Sequence, residues 1–441
     1  MDRIRWINHA GFELQTSGLR IALDPWLAGL AFNDSWALLS KTVYQPEDFR
    51  GVDYIWFSHE HPDHFSPASV RSIPAEIRAT ITILFQQTKD GRVAKFCRAV
   101  GFKAVRELAD WERVDLGGGV FFTVKTVDDD SFCIIETPNQ TYLNMNDCVA
   151  PDAEAFHRSI AARVARPDVL LTQFSFANWA GNPGEATEMQ ALAREKIHQI
   201  DMQLSIYQPK TLIPFASFVW LCRSDNFHLN TGSNRIRDIH QRFAAQTNCV
   251  VLYPGDVWGV GGSHDSASAI ERYSADENSH TKPLDLAETS YSNHDLERLS
   301  DAHQERMRSQ NSMWTFWPLR MLGYLNPVRI YLTDTKQALN YSMLSGIAWT
   351  STPRIEADIE FTTGAMAMML KHGTGYDTLY ISGRFTENRP NSRFDLSKNF
   401  VVLRRNEHGQ FFPRSFFDLN SLKRRIRVQT QLSQYATRAA R

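Results

Sequence analysis

The sequence predicts an α+β protein of two domains, and three observations carry that expectation. Short apolar segments separated by turn residues succeed one another over the first 60 residues; helical periodicity enters later, as isolated segments; and the apolar pattern breaks over a polar stretch beyond residue 261 before it resumes. Length agrees, because 441 residues at roughly 150 per domain can bury two or three cores without disulfide staples.

Taken in order, IRWI, GFELQT and LRIALDPWL read as short strands in antiparallel succession, and VDYIWFS at 52–58 as a further, buried strand. Residues 66–74 read as a short helix with Ser66 as N-cap, closed by Pro74. An apolar strand (TITILF), a helix around VAKFCRAVG and three strands (VFFTVKTV, SFCIIET, TYLNMND) follow. From Ala186 to Tyr207 apolar residues recur at three and four spacing, which predicts one long amphipathic helix feeding the strand TLIPFASFVWL. The division expected is a catalytic domain over 1–260, a polar linker over 261–301, and a small α+β domain over 302–441 with VRIYLTD, IEADIEFTT, a helix through MAMMLKH, and DTLYISGRF.

Composition narrows the function. Hydrophobic content of 43%, aromatic 12% and charged 22% belong to a folded globular chain rather than a disordered one. Lys+Arg 48 against Asp+Glu 49 leaves a formal charge of -1, so no whole-molecule field draws the protein to nucleic acid or membrane, and a small-molecule substrate is found by a site. No apolar run reaches the roughly 20 residues of a membrane helix, and the first residues lack the apolar core of a signal peptide, so a cytoplasmic location is expected. Lys423 to Arg441 holds no acidic residue and reads as a solvated end. Cys97, Cys133, Cys148, Cys222 and Cys249 form no CxxC or CxH and read as reduced, mostly buried thiols.

The chemistry concentrates in Ser58-His59-Glu60-His61-Pro62-Asp63-His64, at the end of the buried strand. In an extended segment His59 and His61 project to one side and can ligate one cation, while the Pro62 bend turns Asp63 and His64 toward a second. Neutral imidazole with carboxylate suits zinc, iron or manganese.

The HxHxDH pattern resembles the signature of the metallo-β-lactamase fold superfamily. With Asn8-His9-Ala10, the Leu23-Asp24-Pro25-Trp26-Leu27 segment, Asn146-Asp147-Cys148 and Pro214-Phe215-Ala216 in matching order, the chain is similar to the metallo-β-lactamase portion of the CMP-N-acetylneuraminate hydroxylases. The resemblance implies a four-layer αββα sandwich followed by the smaller α+β domain. It also implies two metals: one held by His59 and His61, the other by Asp63 and His64, with Asp147 bridging. Where the family's third histidine is expected the sequence reads Thr126-Val127-Asp128-Asp129-Asp130-Ser131, and Asp128 is the expected substitute, with Asp129 as its competitor. The last ligand falls to His228, with Cys222 as the alternative.

Two histidines and one carboxylate on the first metal favour Fe(II) oxygen chemistry over zinc hydrolysis. The expected function is therefore a diiron oxygenase oxidising a small polar substrate such as an amino-sugar or nucleotide-linked compound, with Asp63 and Asp128 as the catalytic carboxylates. Because no CxH or CxxH pair is present to hold the Rieske cluster of those hydroxylases, electrons are expected from an external donor. A dinuclear zinc hydrolase acting on an ester, amide or phosphodiester is the alternative, and zinc or manganese the alternative metals. His9 and Asp24 read as groups that orient ligands through hydrogen bonds, and Arg223 as a grip on a substrate carboxylate or phosphate.

Overall fold

The computed structural model describes residues 1–413 apart from Pro151, Ala165, Ala177 and His408. The expectation for the Lys423–Arg441 tail therefore lies outside the described residues. Two compact units emerge: the first comprises Met1–Ala180 and Glu185–Leu284, the second Gly181–Gly184 and the chain from Asp285 onward.

In the first unit two seven-stranded sheets face one another. One runs, edge to edge, Val257–Gly259, Arg3–Asn8, Gly11–Thr16, Leu19–Leu23, Tyr54–Phe57, Thr82–Gln86, Ala104–Leu108. The other runs Asn248–Cys249, Thr211–Phe215, Val169–Gln173, Thr141–Asn144, Asp130–Glu136, Val120–Val127, Arg113–Gly117. Strand alternation explains the layering. Trp6 and Trp56 enter a core shared with Phe122, Ile135, Leu170 and Leu212 of the opposite sheet. Their neighbours Ile7, Ile55 and Phe57 turn to the other face, where Val70, Val93 and Cys97 of the covering helices meet them. Two facing sheets with helices on an outer face make the α+β sandwich that the sequence predicts.

In each sheet an antiparallel run passes into parallel strands. Leu19–Leu23, Tyr54–Phe57, Thr82–Gln86 and Ala104–Leu108 run parallel, as do Thr141–Asn144, Val169–Gln173 and Thr211–Phe215. The crevice outside the carboxyl ends of parallel strands is where such sheets gather functional loops. Asp24, the HxHxDH segment and Asp147 all follow directly on these strand ends.

Two expectations are corrected. TLIPFASFVWL is not one strand: Thr211–Phe215 belongs to the second large sheet, whereas Val219–Leu221 pairs with Trp36–Leu38 in a three-stranded sheet. The chain turns at Ala216, whose φ of 52° ends the extended run and whose N–H donates to the His9 carbonyl. The polar stretch 261–301 is not a linker either. Ser266–Ser279 is a helix whose Ala269, Ile270 and Tyr273 are buried, with Tyr273 stacked on Phe218 at 4.1 Å between ring centroids. A narrow apolar stripe on an otherwise solvated helix reads as low hydrophobicity, although the stripe completes the first core. The end of the same stretch begins a helix, Asn293–Gln310, capped reciprocally by Ser292 and Asp295.

The second unit holds a five-stranded sheet in the order Gly346–Thr350, Gln337–Ser342, Val328–Leu332, Ile359–Phe361, Thr386–Glu387. Helices Asn293–Gln310, Thr363–Lys371 and Ser392–Glu407 accompany it, with Phe400 stacked on Tyr341 and the Tyr341 hydroxyl 2.9 Å from His303 Nδ1.

Candidate metal centre

The centre is assembled by turns that the sheets hold rigidly. At the foot lies Asp24, fully buried just past its strand, its N–H bonded to the Trp56 carbonyl. Its carboxylate accepts from the Ser58 N–H and the Ser58 hydroxyl, each at 2.7 Å, and lies 3.0 Å from His64 Nδ1. The Ser58 hydroxyl is in turn 2.9 Å from His59 Nδ1. One buried carboxylate thus fixes two imidazoles through their Nδ1 atoms and leaves both Nε2 atoms facing the crevice.

Those Nε2 atoms meet carboxylates. His59 Nε2 is 3.6 Å from Asp130 Oδ1 and 3.9 Å from Asp147 Oδ2. His64 Nε2 is 3.4 Å from Asp63 Oδ2 and 3.6 Å from Asp147 Oδ2, so Asp147 stands between the two histidines. His9 Nε2 approaches Asp63 Oδ2 at 3.3 Å. The ring of His61 lies 4.4 Å from that of His59, with Phe32 against its edge. Three overlapping groups result, each with ligand atoms within 4.8 Å of one another: His59, His61, Asp130; His59, His64, Asp147; and His9, Asp63, His64.

The hairpin between Val120–Val127 and Asp130–Glu136 decides which aspartate enters. Val127 pairs with Asp130 and Thr126 with Ser131, so Asp128 and Asp129 form a two-residue turn, with Asp128 at φ 55°. Short polar residues tolerate that conformation, and the two tip residues are exposed. Gln86 donates to the carbonyls of Ser58 and Asp129, and the Ser131 hydroxyl donates to the Ser58 carbonyl. These bonds pin the hairpin to the histidine segment and bring Asp130, not Asp128 or Asp129, beside His59.

His9 occupies a similarly tight turn. Asn8 pairs with Gly11 across His9-Ala10, with His9 at φ 44°. A Cβ on Gly11 would lie 2.9 Å from the Asp24 carbonyl, so only glycine lets this turn press against the loop that carries Asp24. The result is an imidazole in the place expected of His228. Among the described residues, His228 and Cys222 join none of the three groups. His228 sits on the short helical segment Phe227–Gly232, and the Cys222 Sγ lies 3.6 Å from the Asp34 carbonyl. Arg223 is buried with its Nε donating to that same carbonyl, which makes it a brace of the loop.

The electrostatics are those of a crowded, water-poor cluster. Burial pushes the His59, His61 and His9 imidazoles below the ordinary value of 6.5. Burial acts on His64 too, but the carboxylates of Asp63, Asp147 and Asp24 outweigh it and hold that group well above 6.5. Asp63 is held well below the usual carboxylate range because His64 and His9 overcome its burial. Burial, reinforced by Asp147, pushes Asp130 up to about 7. Lys196, from the long helix Ala186–Tyr207, donates to Gln173 Oε1 at 2.5 Å. Burial lowers its ammonium against the pull of Asp147 and Asp130.

Six buried atoms of the cluster make no hydrogen bond with any of the described residues: His9 Nδ1 and Nε2, His59 Nε2, Asp63 Oδ1, His64 Nε2 and Asp147 Oδ1. Buried polar atoms are seldom left so. Imidazole nitrogens and carboxylate oxygens converging in this way form a donor set that fits metal cations.

Residues 3–174 match the family model of the beta-lactamase superfamily domain. The cytidine monophosphate-N-acetylneuraminic acid hydroxylase of Mus musculus is 24% identical over 275 residues, 59% of this chain and 47% of that protein. A UPF0173 metal-dependent hydrolase of Thermofilum pendens is 32% identical over 100 residues, 21% of this chain and 40% of the relative. The chain thus spans less than half the length of these curated relatives. Among solved structures, a diiron beta-hydroxylase from Streptomyces venezuelae matches at a TM-score of 0.39 and 12% identity, covering 59% of this chain and 54% of that one.

Proposed function

We propose that this chain, which carries a beta-lactamase superfamily domain over residues 3–174, is a dinuclear metal oxygenase that oxidises or hydroxylates a small polar substrate. The observation that carries the reading is the approach of Asp130 to the His59–His61 pair, a carboxylate where a third imidazole would make the site zinc-like. Two imidazoles and one carboxylate with open positions suit Fe(II), with zinc or manganese as the alternative metals.

His59, His61 and Asp130 would hold one ion, His9, Asp63 and His64 the other, with Asp147 between them. Bound there, the metals would supply activation of dioxygen with electrons from an external donor, or, in the hydrolytic alternative, a water made acidic enough to attack. The protein's own part is positional and electrostatic. Asp24 and Ser58 fix the tautomers of His64 and His59. Asp130, near 7 without metal, must shed its proton for a cation to bind, so loading is coupled to proton release near neutrality. Lys196, which feels the charge of Asp147 and Asp130 and donates to Gln173, would offer a cation to an anionic group on the substrate, such as the carboxylate or phosphate of an amino-sugar or nucleotide-linked compound.

The test is to incubate reduced, metal-loaded protein with a panel of such compounds under labelled dioxygen and, separately, in labelled water under nitrogen. Product that forms only with dioxygen and reductant supports the oxygenase. Undiminished anaerobic turnover, with label from water, transfers the site to the zinc hydrolase reading.

A further inference from the structure

We propose that Gln173 is a positioning residue that couples an anion bound at Lys196 to the two turns carrying His9 and Asp147, so that an acidic substrate adjusts the metal centre as it binds. The inference rests on the metal-centre reading above and adds the route by which the substrate is sensed.

Gln173 ends the strand Val169–Gln173 and is buried. Its polar groups go to three different elements. The N–H donates to the Asn146 carbonyl at 3.2 Å, one residue before Asp147. The side-chain Nε2 meets the Ala216 carbonyl at 3.5 Å, and the Ala216 N–H donates to the His9 carbonyl at 3.1 Å. The side-chain Oε1 accepts from Lys196 Nζ at 2.5 Å. Asn146, Ala216 and His9 have φ of 54°, 52° and 44°. Residues with side chains seldom adopt that left-handed region, and they persist there where the surroundings hold them. Gln173 is among the groups that hold these three.

The helix Ala186–Tyr207 keeps Lys196 beside this hub. Asn234 Nδ2 donates to the carbonyls of Phe174 and Ala193, each at 2.8 Å, and Gln199 Nε2 lies 3.4 Å from the Cys148 carbonyl. The helix is thus tied to the residue after Gln173 and to the residue after Asp147. Lys196 itself is half-buried, so its ammonium is within reach of a solute. A carboxylate or phosphate oxygen accepts from an ammonium about twice as strongly as a neutral amide does, so an anion takes Nζ from Gln173. Released from Lys196, the Gln173 amide is free to turn, and its contact with Ala216, at the long limit for a hydrogen bond, yields first. The turn that carries His9 then loses a prop, and the ligands shift. Asp147 and Asp130 act on Lys196 through their negative charge. Cations bound at those carboxylates offset it, so metal and anion favour each other, by the same factor in both directions.

The test titrates Co(II)-loaded protein with acetate and, separately, methyl phosphate, following the visible cobalt bands for ligand geometry and calorimetry for anion affinity. In the parent a saturable change in the bands is expected, with anion affinity roughly threefold or more higher in loaded than in metal-free protein. Lys196→Met should weaken the anion roughly tenfold or more and leave the bands unmoved. Gln173→Leu separates coupling from binding: with Lys196 no longer engaged, the anion should bind at least as tightly as in the parent while the band change is lost. Gln173→Glu keeps the shape but holds Lys196 in an ion pair, and should weaken the anion roughly tenfold, an effect that a merely structural role would not produce. Bands that respond in Gln173→Leu as in the parent overturn the proposal. So does a response that survives Lys196→Met, which would place the anion on the metal itself. Protein that takes up no cobalt removes the metal-centre reading as well, whereas cobalt bands indifferent to both anions overturn this inference alone.

Discussion

Asp24→Asn isolates the part of the metal centre that no ligand list contains. The substitution preserves shape, and the amide oxygen can still accept from the Ser58 N–H, now at 2.7 Å. What changes is the atom 3.0 Å from His64 Nδ1: an acceptor becomes an N–H donor. The imidazole must then present a bare Nδ1 to it and carry its proton on Nε2, the atom that faces Asp63 and Asp147 at 3.4 and 3.6 Å. A protonated Nε2 cannot ligate. Changes of this kind cost about 10- to 100-fold in metal affinity, whereas the weakened buried hydrogen bonds cost about 1–3 kcal/mol of stability. Competition with a chelator of known affinity measures the first quantity and urea unfolding of metal-free protein the second. The variant should lose affinity for one of two ions while remaining folded. Two ions bound with the parent's affinity would show that Asp24 is only a turn residue and that His64 is oriented by something else.

Asp130→Asn should remove most of one metal equivalent and Asp128→Asn none; equal losses in elemental analysis would return the ligand to the hairpin tip. Likewise His9→Ala should lose metal and His228→Ala should keep it. Tyr273→Ala, which deletes a buried ring stacked on Phe218, should destabilise the first unit by about 3–5 kcal/mol in urea unfolding; a change near zero would make the polar stretch a linker after all. Metal-free protein should have a stability maximum in pH. His9, His59 and His61, depressed in the fold, lose their contribution as pH falls through about 6.5, where the unfolded chain takes up protons. His64, raised in the fold, contributes fully below about 6.5 and loses that contribution as pH rises through its elevated value. A flat urea-unfolding profile across that window would contradict the cluster's electrostatics.

Much of the centre is legible in the sequence because local chain geometry builds it: His59, His61, Asp63 and His64 lie within six residues, and a strand end followed by Pro62 suffices to bring them together. Asp147 is legible only through the family resemblance, because it follows a strand of the other sheet, far along the chain from the histidine segment. The choice among Asp128, Asp129 and Asp130 is not local, since it depends on pairing register. The signal was present all the same, because a two-residue Asp-Asp turn between the alternating strands VFFTVKTV and SFCIIET leaves Asp130 as the first strand residue. His9 against His228 is a tertiary matter, decided by a turn that Gly11 permits to approach Asp24. The helix Ser266–Ser279 is hard to read from the sequence because three apolar residues among many polar ones do not lift the average, although their spacing is helical.

The central claim is a two-metal site with a carboxylate-rich, iron-preferring donor set. Metal analysis of protein purified without added metal, and again after anaerobic reconstitution with iron and with zinc in competition, tests it most directly. The account predicts about two equivalents per chain with iron retained. Folded protein that holds less than about half an equivalent after reconstitution, or that takes zinc alone at both positions, would contradict it.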